Sequence, residues 1–205
     1  MLTKEYTILE PFIHKPWQSL TFKEVKSLSH NRSDNYVHTT LKRLVKKQIL
    51  KEQKIGNNLI YSINNTIFTL NLLGFITEYK AQQSKHLPHK NIQKIIHKIK
   101  TSFYICIITG SYAKHKQKET SDLDLVIICD NIQSSQSILA QIKLESELMH
   151  PEIHPYIFTQ AQFYEMLINK EENYGKEIAK NNLIITGGKE YYNIIFEAIE
   201  HGFHG

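Results

Sequence analysis

The residues best suited to chemistry lie in one stretch, ITGSYAKHKQKETSDLDLVIICD, running from Ile108 to Asp130. Asp122 and Asp124 are separated by one residue in an apolar, β-branched run that predicts a strand. Side chains alternate across a strand, so both carboxylates fall on one face, with Leu123 and Leu125 on the other. Neighbouring carboxylates repel each other unless a cation lies between them. Hard oxygen ligands at this spacing suit Mg²⁺, which binds through one or two carboxylates plus substrate phosphates. Upstream, SFYICIITG predicts a second strand ending at Gly110-Ser111. A glycine lets the backbone approach a phosphate closely, and N–H groups opening a following helix can hold the anion. The Ser111 hydroxyl adds a donor. The pieces read as a triphosphate on the Gly-Ser turn, with metal-bound phosphoryl oxygens facing the aspartates, as metal-assisted phosphoryl or nucleotidyl transfer requires. Taken alone, the pair of acids also fits a solvated edge strand, and a motif needs its structural context.

The stretch GSYAKHKQKETSDLDLVI resembles the signature of the nucleotidyltransferase superfamily with the DNA polymerase beta-type fold, Gly-Ser-x-Ala-x-Gly followed by Ser-Asp-x-Asp. It is most similar to the minimal nucleotidyltransferases of archaea and bacteria. Gly110, Ser111, Ala113, Ser121, Asp122 and Asp124 match, and His115 stands where that family usually has a second glycine. The resemblance implies that Asp122 and Asp124 bind Mg²⁺, and that Gly110, Ser111 and Ser121 hold an NTP such as ATP. It also implies a third carboxylate on a later strand of the same sheet, for which PEIHPYIFT is the candidate. Glu152 and His154 share one face there and either can stand at that position. Glu152, the carboxylate, is taken as the third catalytic acid.

Other features carry less chemistry. Lys114, Lys116 and Lys118 can touch phosphates or RNA, or simply line a solvated loop. The segment NNLIITGGKEYYNIIFEAIEHG predicts a strand, a turn at Gly187-Gly188 and a final helix, with Tyr191 and Tyr192 either core residues or stacking platforms. His86 and His89 fit a solvated loop. His201 and His204 have metal-like spacing without a third partner.

The elements ahead of the motif form a distinct pattern. Ile8, Leu9, Phe12 and Ile13 recur at helical spacing. Thr21 and Glu24 form a capping box for a second helix, with Phe22, Val25 and Leu28 facing inward. Ser33 caps a third helix carrying Val37, Leu41, Leu44 and Val45. Two β-prone runs around Gly56-Asn57-Asn58 predict a hairpin. Three short helices and a hairpin, over residues 1–65, resemble a winged helix-turn-helix, in which the third helix enters the DNA major groove. The resemblance implies a double-stranded DNA face of Arg32, Asn35, His38, Thr39, Lys42, Arg43 and Lys46, with Lys54 on the wing. Lysines and arginines give affinity through phosphates, so Asn35, His38 and Thr39 are the better base readers. A basic solvated face or a protein-contact module is the competing account.

Charge divides the chain in the same sense. Residues 1–65 carry +6, residues 66–100 carry +5 and residues 101–205 carry −6, so a polyanion suits the first part rather than the last. The expected class is α+β: a winged helix-turn-helix at 1–65, a connector at 66–90 and a nucleotidyltransferase-like domain with a mixed sheet at 91–205. The apolar run of the connector predicts packing on the first module or a homodimer contact, and Ile92, Ile95, Ile96 and Ile99 predict a helix packed on the sheet. Cys106 and Cys129, a lone pair in apolar runs, offer neither a disulfide framework nor metal spacing and fit a reduced cytoplasmic protein. TIFTLNLLGFI is too short to span a bilayer.

Two functions remain open. One is a Mg²⁺-dependent enzyme moving an NMP from an NTP to a hydroxyl on a protein, an RNA end or a small molecule such as an aminoglycoside. Similar chains without the winged helix often act as antitoxins that modify a partner toxin. The other is a DNA-binding regulator or antitoxin-like protein whose transferase domain senses a nucleotide or is inactive.

Overall fold

The computed structural model describes residues 4–101, 103–130 and 132–205, with the side chains of 132–134 left aside. Residues 1–3, at the head of the expected first module, and Ser102, which opens the predicted strand run, lie outside the described residues. A 3₁₀ turn at Lys4–Ile8 leads into α1 (Glu10–His14), and their Ile8, Leu9, Phe12 and Ile13 are all buried. The short strand β1 (Leu20–Thr21) precedes α2 (Phe22–Leu28), whose capping box forms as the sequence requires. The Thr21 hydroxyl accepts the Glu24 N–H, and the Glu24 carboxylate accepts the Thr21 N–H. Leu28, expected inward, is half exposed because α2 spans only seven residues and its last turn runs past the core.

Ser33 caps α3 (Asp34–Lys46), whose Val37, Leu41 and Leu44 are fully buried. Strands β2 (Leu50–Ile55) and β3 (Asn58–Ile63) pair antiparallel, with Ile55 opposite Asn58. The turn is therefore Gly56-Asn57, one residue tighter than the sequence suggests. Among the described residues, β1 completes a three-stranded sheet in the order β1-β3-β2.

Helix α4 (Ile67–Gln83), capped by the Thr66 hydroxyl, occupies the apolar connector. Its Gly74 backbone meets that of Gly188 so closely that a Cβ on Gly74 would stand 2.5 Å from the Lys189 nitrogen. Helix α5 (His89–Ile96) follows, then β4 (Tyr104–Ile108), the four-residue α6 (Gly110–Ala113), β5 (Leu123–Cys129) and α7 (Ile132–Ser146). Strand β6 (Ile153–Thr159), helices α8 (Gln160–Ile168) and α9 (Tyr174–Lys180), strand β7 (Leu183–Thr186) and α10 (Gly188–Glu200) complete the chain.

Strands β6-β5-β4-β7 form a mixed sheet in which β4 runs antiparallel to both β5 and β7, and β5 parallel to β6. Strand alternation sends Cys106, Ile108, Leu125 and Ile127 to one side, where α5 supplies Ile92 and Ile95 and α7 supplies Ile138 and Ile142. The other side carries Ile105, Ile107, Val126, Ile128 and Ile184. That second core continues through α10 and α4 to Phe12, Leu41 and Leu44. The Tyr192 hydroxyl, donating to the Ile13 carbonyl at 3.2 Å, ties α10 to α1. Helix α4 thus packs on α10 and β7, joining the basic and acidic parts of the chain. Tyr191 and Tyr192 are core residues, each 2% exposed. Cys106 and Cys129 lie buried as thiols, and burial pushes Cys106 up to about 12.

Candidate functional site

The turn between β4 and α6 and the first residues of β5 meet at the open end of the sheet. Buried Thr109 follows β4, donating its N–H to the Asp124 carbonyl at 3.1 Å and its hydroxyl to the Asn181 carbonyl at 2.9 Å. Gly110 follows with φ +66°, a left-handed conformation that turns the chain into α6. The second reason for glycine is contact: a Cβ here would lie 1.9 Å from Asp124 Oδ2. Asp124 stands on the face of β5 that continues into buried Val126 and Ile128, with Asp122 just ahead of the strand and Leu123 and Leu125 buried on the other side. Both aspartates are partly exposed, standing where that face leaves the core.

Burial raises the Asp124 pKa, opposed by His154, and Asp122 and Glu177 raise it further while Lys114 lowers it. Burial is thus the main influence, with acidic and basic groups both facing the carboxylate. In the parallel β5/β6 register His154 lies opposite Asp124. The His154 ring stands 3.9 Å from Asp122 Oδ2 through Nδ1 and 3.9 Å from Glu152 Oε1 through Nε2. The Leu123 N–H donates to the Glu152 carbonyl at 2.8 Å, but the Glu152 carboxylate is 73% exposed beyond His154. The structure thus gathers Asp122, Asp124 and His154, and sets Glu152 on the outer side of the imidazole.

Ser111 opens α6 and is partly exposed beside this cluster. The Ser121 hydroxyl accepts the Lys118 N–H at 2.8 Å, closing the turn that delivers β5. His115 has φ +53°, so the position where a glycine is usual demands a left-handed backbone. Histidine is among the side chains that tolerate that conformation more often than most. His86, expected in a solvated loop, instead stacks on Tyr112, places Nε2 3.1 Å from the Tyr112 carbonyl, and lies 4.3 Å ring-to-ring from His115. His89 Nε2 is 2.8 Å from the Ser84 carbonyl.

Helix α9 adds groups that the motif did not reveal. Lys114 Nζ binds Glu177 Oε1 at 2.8 Å, joining the loop after α6 to α9. One turn earlier, Tyr174 packs 4.9 Å ring-to-ring from Tyr156. Burial and then the Asp124 charge hold the Tyr174 hydroxyl well above its ordinary pKa. Tyr156 shares the β6 face of His154, so strand alternation could have found it; Tyr174 and Glu177 come from a distant helix with no local signal.

A family model described as Polymerase beta, Nucleotidyltransferase matches residues 90–190. The match supports the nucleotidyltransferase superfamily for this segment. Comparison with curated proteins and with solved structures returned no match. The matched segment runs from α5 into α10 and includes Gly110, Ser111, Asp122, Asp124, Glu152, His154, Tyr174 and Glu177, while His86 and His89 precede it.

Nucleotidyltransferases act on NTPs and typically use a divalent metal. The donor set fits such an ion: two hard carboxylates close together, that of Asp124 partly desolvated, and a cradle against Gly110 that a Cβ would fill. Among the described residues no group of three or more His, Cys, Asp or Glu converges on a common point. Asp122 and Asp124 would therefore hold a metal together with oxygens from outside the chain.

On the other part of the chain, α3 exposes Asn35, His38, Thr39, Lys42, Arg43 and Lys46, and Arg32 and Lys54 are exposed beside it. Several of these charges are engaged within the chain. Lys42 Nζ meets Glu52 at 2.9 Å, and Glu5 lies 3.7 Å from Arg43 and 3.4 Å from Lys47. Among the described residues no helix is long and apolar enough to cross a membrane.

Proposed function

We propose that the 90–190 segment transfers an NMP from an NTP to a hydroxyl acceptor with release of pyrophosphate, and that residues 1–65 act as a winged helix-turn-helix that binds double-stranded DNA. One observation carries the first part: the Gly110 backbone lies against the Asp124 carboxylate, with Asp122 two residues earlier, just ahead of β5. That juxtaposition brings a phosphate-holding turn to two metal-binding acids.

In this reading Asp122 and Asp124 hold Mg²⁺, which when bound supplies charge neutralisation to the phosphoryl oxygens. The Ser111 hydroxyl and the N–H groups opening α6 orient the phosphates, and Lys114 offers a cation once released from Glu177. His154, opposite Asp124, accepts the acceptor hydroxyl's proton. The acceptor oxygen then bonds to the α-phosphorus as the bond to pyrophosphate breaks. The Tyr156–Tyr174 pair beside this centre screens it from bulk water.

The second reading, a DNA-binding regulator whose nucleotide site senses rather than transfers, draws support from the same histidine. An imidazole rather than a carboxylate faces Asp124 across the strands. Equilibrium binding of an NTP with and without Mg²⁺, on wild type and on Asp122→Asn/Asp124→Asn, tests the site. Metal-dependent binding lost in the double variant supports it, and absence of nucleotide binding in the wild type overturns it. The DNA reading rests on the exposed α3 face and the +6 charge of residues 1–65. Salt-independent or undetectable association with duplex DNA would contradict it.

A further inference from the structure

Helix α4 is apolar on two opposite sides, and only one is covered. Leu70, Leu73 and Ile76 are buried against the rest of the chain, while Phe68 and Phe75 are 60% and 58% exposed. Leu72 and Tyr79 are partly exposed, and the Phe75 and Tyr79 rings lie 6.1 Å apart. A helix that is hydrophobic all round belongs inside a protein, not on its surface.

The spacing of the open side says what would cover it. Phe68, Leu72, Phe75 and Tyr79 follow each other at intervals of four, three and four residues, the repeat of a helix-pairing seam. We propose that this seam pairs with the same seam of a second copy of the chain, forming a two-fold symmetric dimer.

Charge leaves the seam as the place where two copies can meet. Residues 1–65 and 66–100 carry +6 and +5, so two copies repel over much of that surface. The seam itself has no charged residue. The charged side chains of α4 are engaged elsewhere, Glu78 accepting the Gly188 N–H at 2.7 Å and Lys80 pairing with Glu10. Beside the seam lies a groove of about 560 Å³, lined in part by Asn71, Phe75, Phe103, Lys189 and Glu190. On its rim Lys189 and Glu190 pair with each other at 3.8 Å, so the groove adds no net charge to the contact. Ile67, 76% exposed, stands on the Asn71 side of the seam as a knob for the partner's groove.

The size is sufficient for a modest dimer. A phenylalanine can bury roughly 150–250 Å², so two at this exposure contribute about 200 Å² per copy. With Ile67, Leu72, Tyr79 and the groove the total reaches roughly 500–700 Å² per copy, just under the usual size of a stable interface. Association at micromolar concentration is expected.

Sedimentation velocity on the full chain, from low to high micromolar, tests this. Wild type should shift from 24.0 kDa to twice that mass, and Phe68→Glu/Phe75→Glu should remain at the smaller value with unchanged thermal melting. If the glutamates disturb folding, Phe68→Gln/Phe75→Gln replaces them. Phe75→Cys should form an interchain disulfide under mild oxidation, against no background from buried Cys106 and Cys129. A wild type that stays monomeric throughout would overturn the proposal. So would a dimer that survives both double variants without the cross-link, because another surface would then be responsible.

Discussion

Gly110→Ala separates two effects that glycine combines at the site. The first is backbone strain: φ is +66°, and an L-residue in that region costs about 1–2 kcal/mol. The second is displacement. The new Cβ would lie 1.9 Å from Asp124 Oδ2, where real Cβ contacts fall at 3.0 Å or beyond. The carboxylate must therefore swing by at least about 1 Å, and a shift of that size at a reacting centre can cost on the order of 100-fold. Gly56→Ala is the control, with φ +58° but nothing within 4 Å of the added carbon. Urea denaturation should show G56A losing about 1 kcal/mol, and G110A losing that and more. Mg²⁺-dependent NMP transfer should be untouched in G56A and fall about 100-fold in G110A. If G110A matches G56A in both assays, the argument that glycine is required by the Asp124 carboxylate is wrong.

Three further outcomes follow from the electrostatics. Asp124, raised by burial and by Asp122, is charged in the folded state at a cost, so Asp124→Asn should stabilise the metal-free protein at neutral pH. After discounting for solvent the gain is on the order of 0.5 kcal/mol, a Tm rise of about 1–2 °C by calorimetry. Glu10 is held at about 2 by its hydrogen bond to His14 and its pairing with Lys80, against partial burial. Its depressed pKa contributes stability above the ordinary 4.5 that is lost as pH falls towards about 2. Glu10→Gln should therefore cost about 1 kcal/mol at neutral pH, and the difference in unfolding free energy should vanish in acid. On duplex DNA, Lys46→Ala should reduce the slope of log K against log salt by about 1, whereas Lys42→Ala should reduce it less. Lys42 is already neutralised by Glu52 at 2.9 Å. Equal slopes for the two variants would remove the basis for ranking them.

What the sequence revealed depended on how local the cause was. The Thr21–Glu24 capping box and the Ser33 cap are set within a few residues and are present as read, whereas Asp124 lies in β5 with Asp122 one residue ahead of the strand. The position of His115 was legible only as a departure; its φ of +53° gives the reason a glycine is usual there. Strand β1 is two residues long and is defined by its partner, Tyr61 opposite Leu20, rather than by its own composition. Helix α4 escaped a periodicity argument because both of its sides are apolar, which erases the 3.6-residue contrast. Tyr174 and Glu177 reach the Asp124 environment from α9, about fifty residues along the chain, and only the fold brings them there. The division at residue 65 follows the end of the hairpin pattern, whereas one apolar core runs from Phe12 through Leu73 to Ile195.

The most direct test of the central claim is to follow both halves of the triphosphate. An NTP labelled at the α-phosphorus is incubated with Mg²⁺ and candidate protein, RNA and small-molecule acceptors, while released pyrophosphate is measured in parallel. The account predicts α-label on an acceptor, equimolar pyrophosphate, and loss of both in Asp122→Asn/Asp124→Asn. Nucleotide binding without either product, unchanged by the double substitution, would contradict it and leave a nucleotide-binding domain that does not transfer.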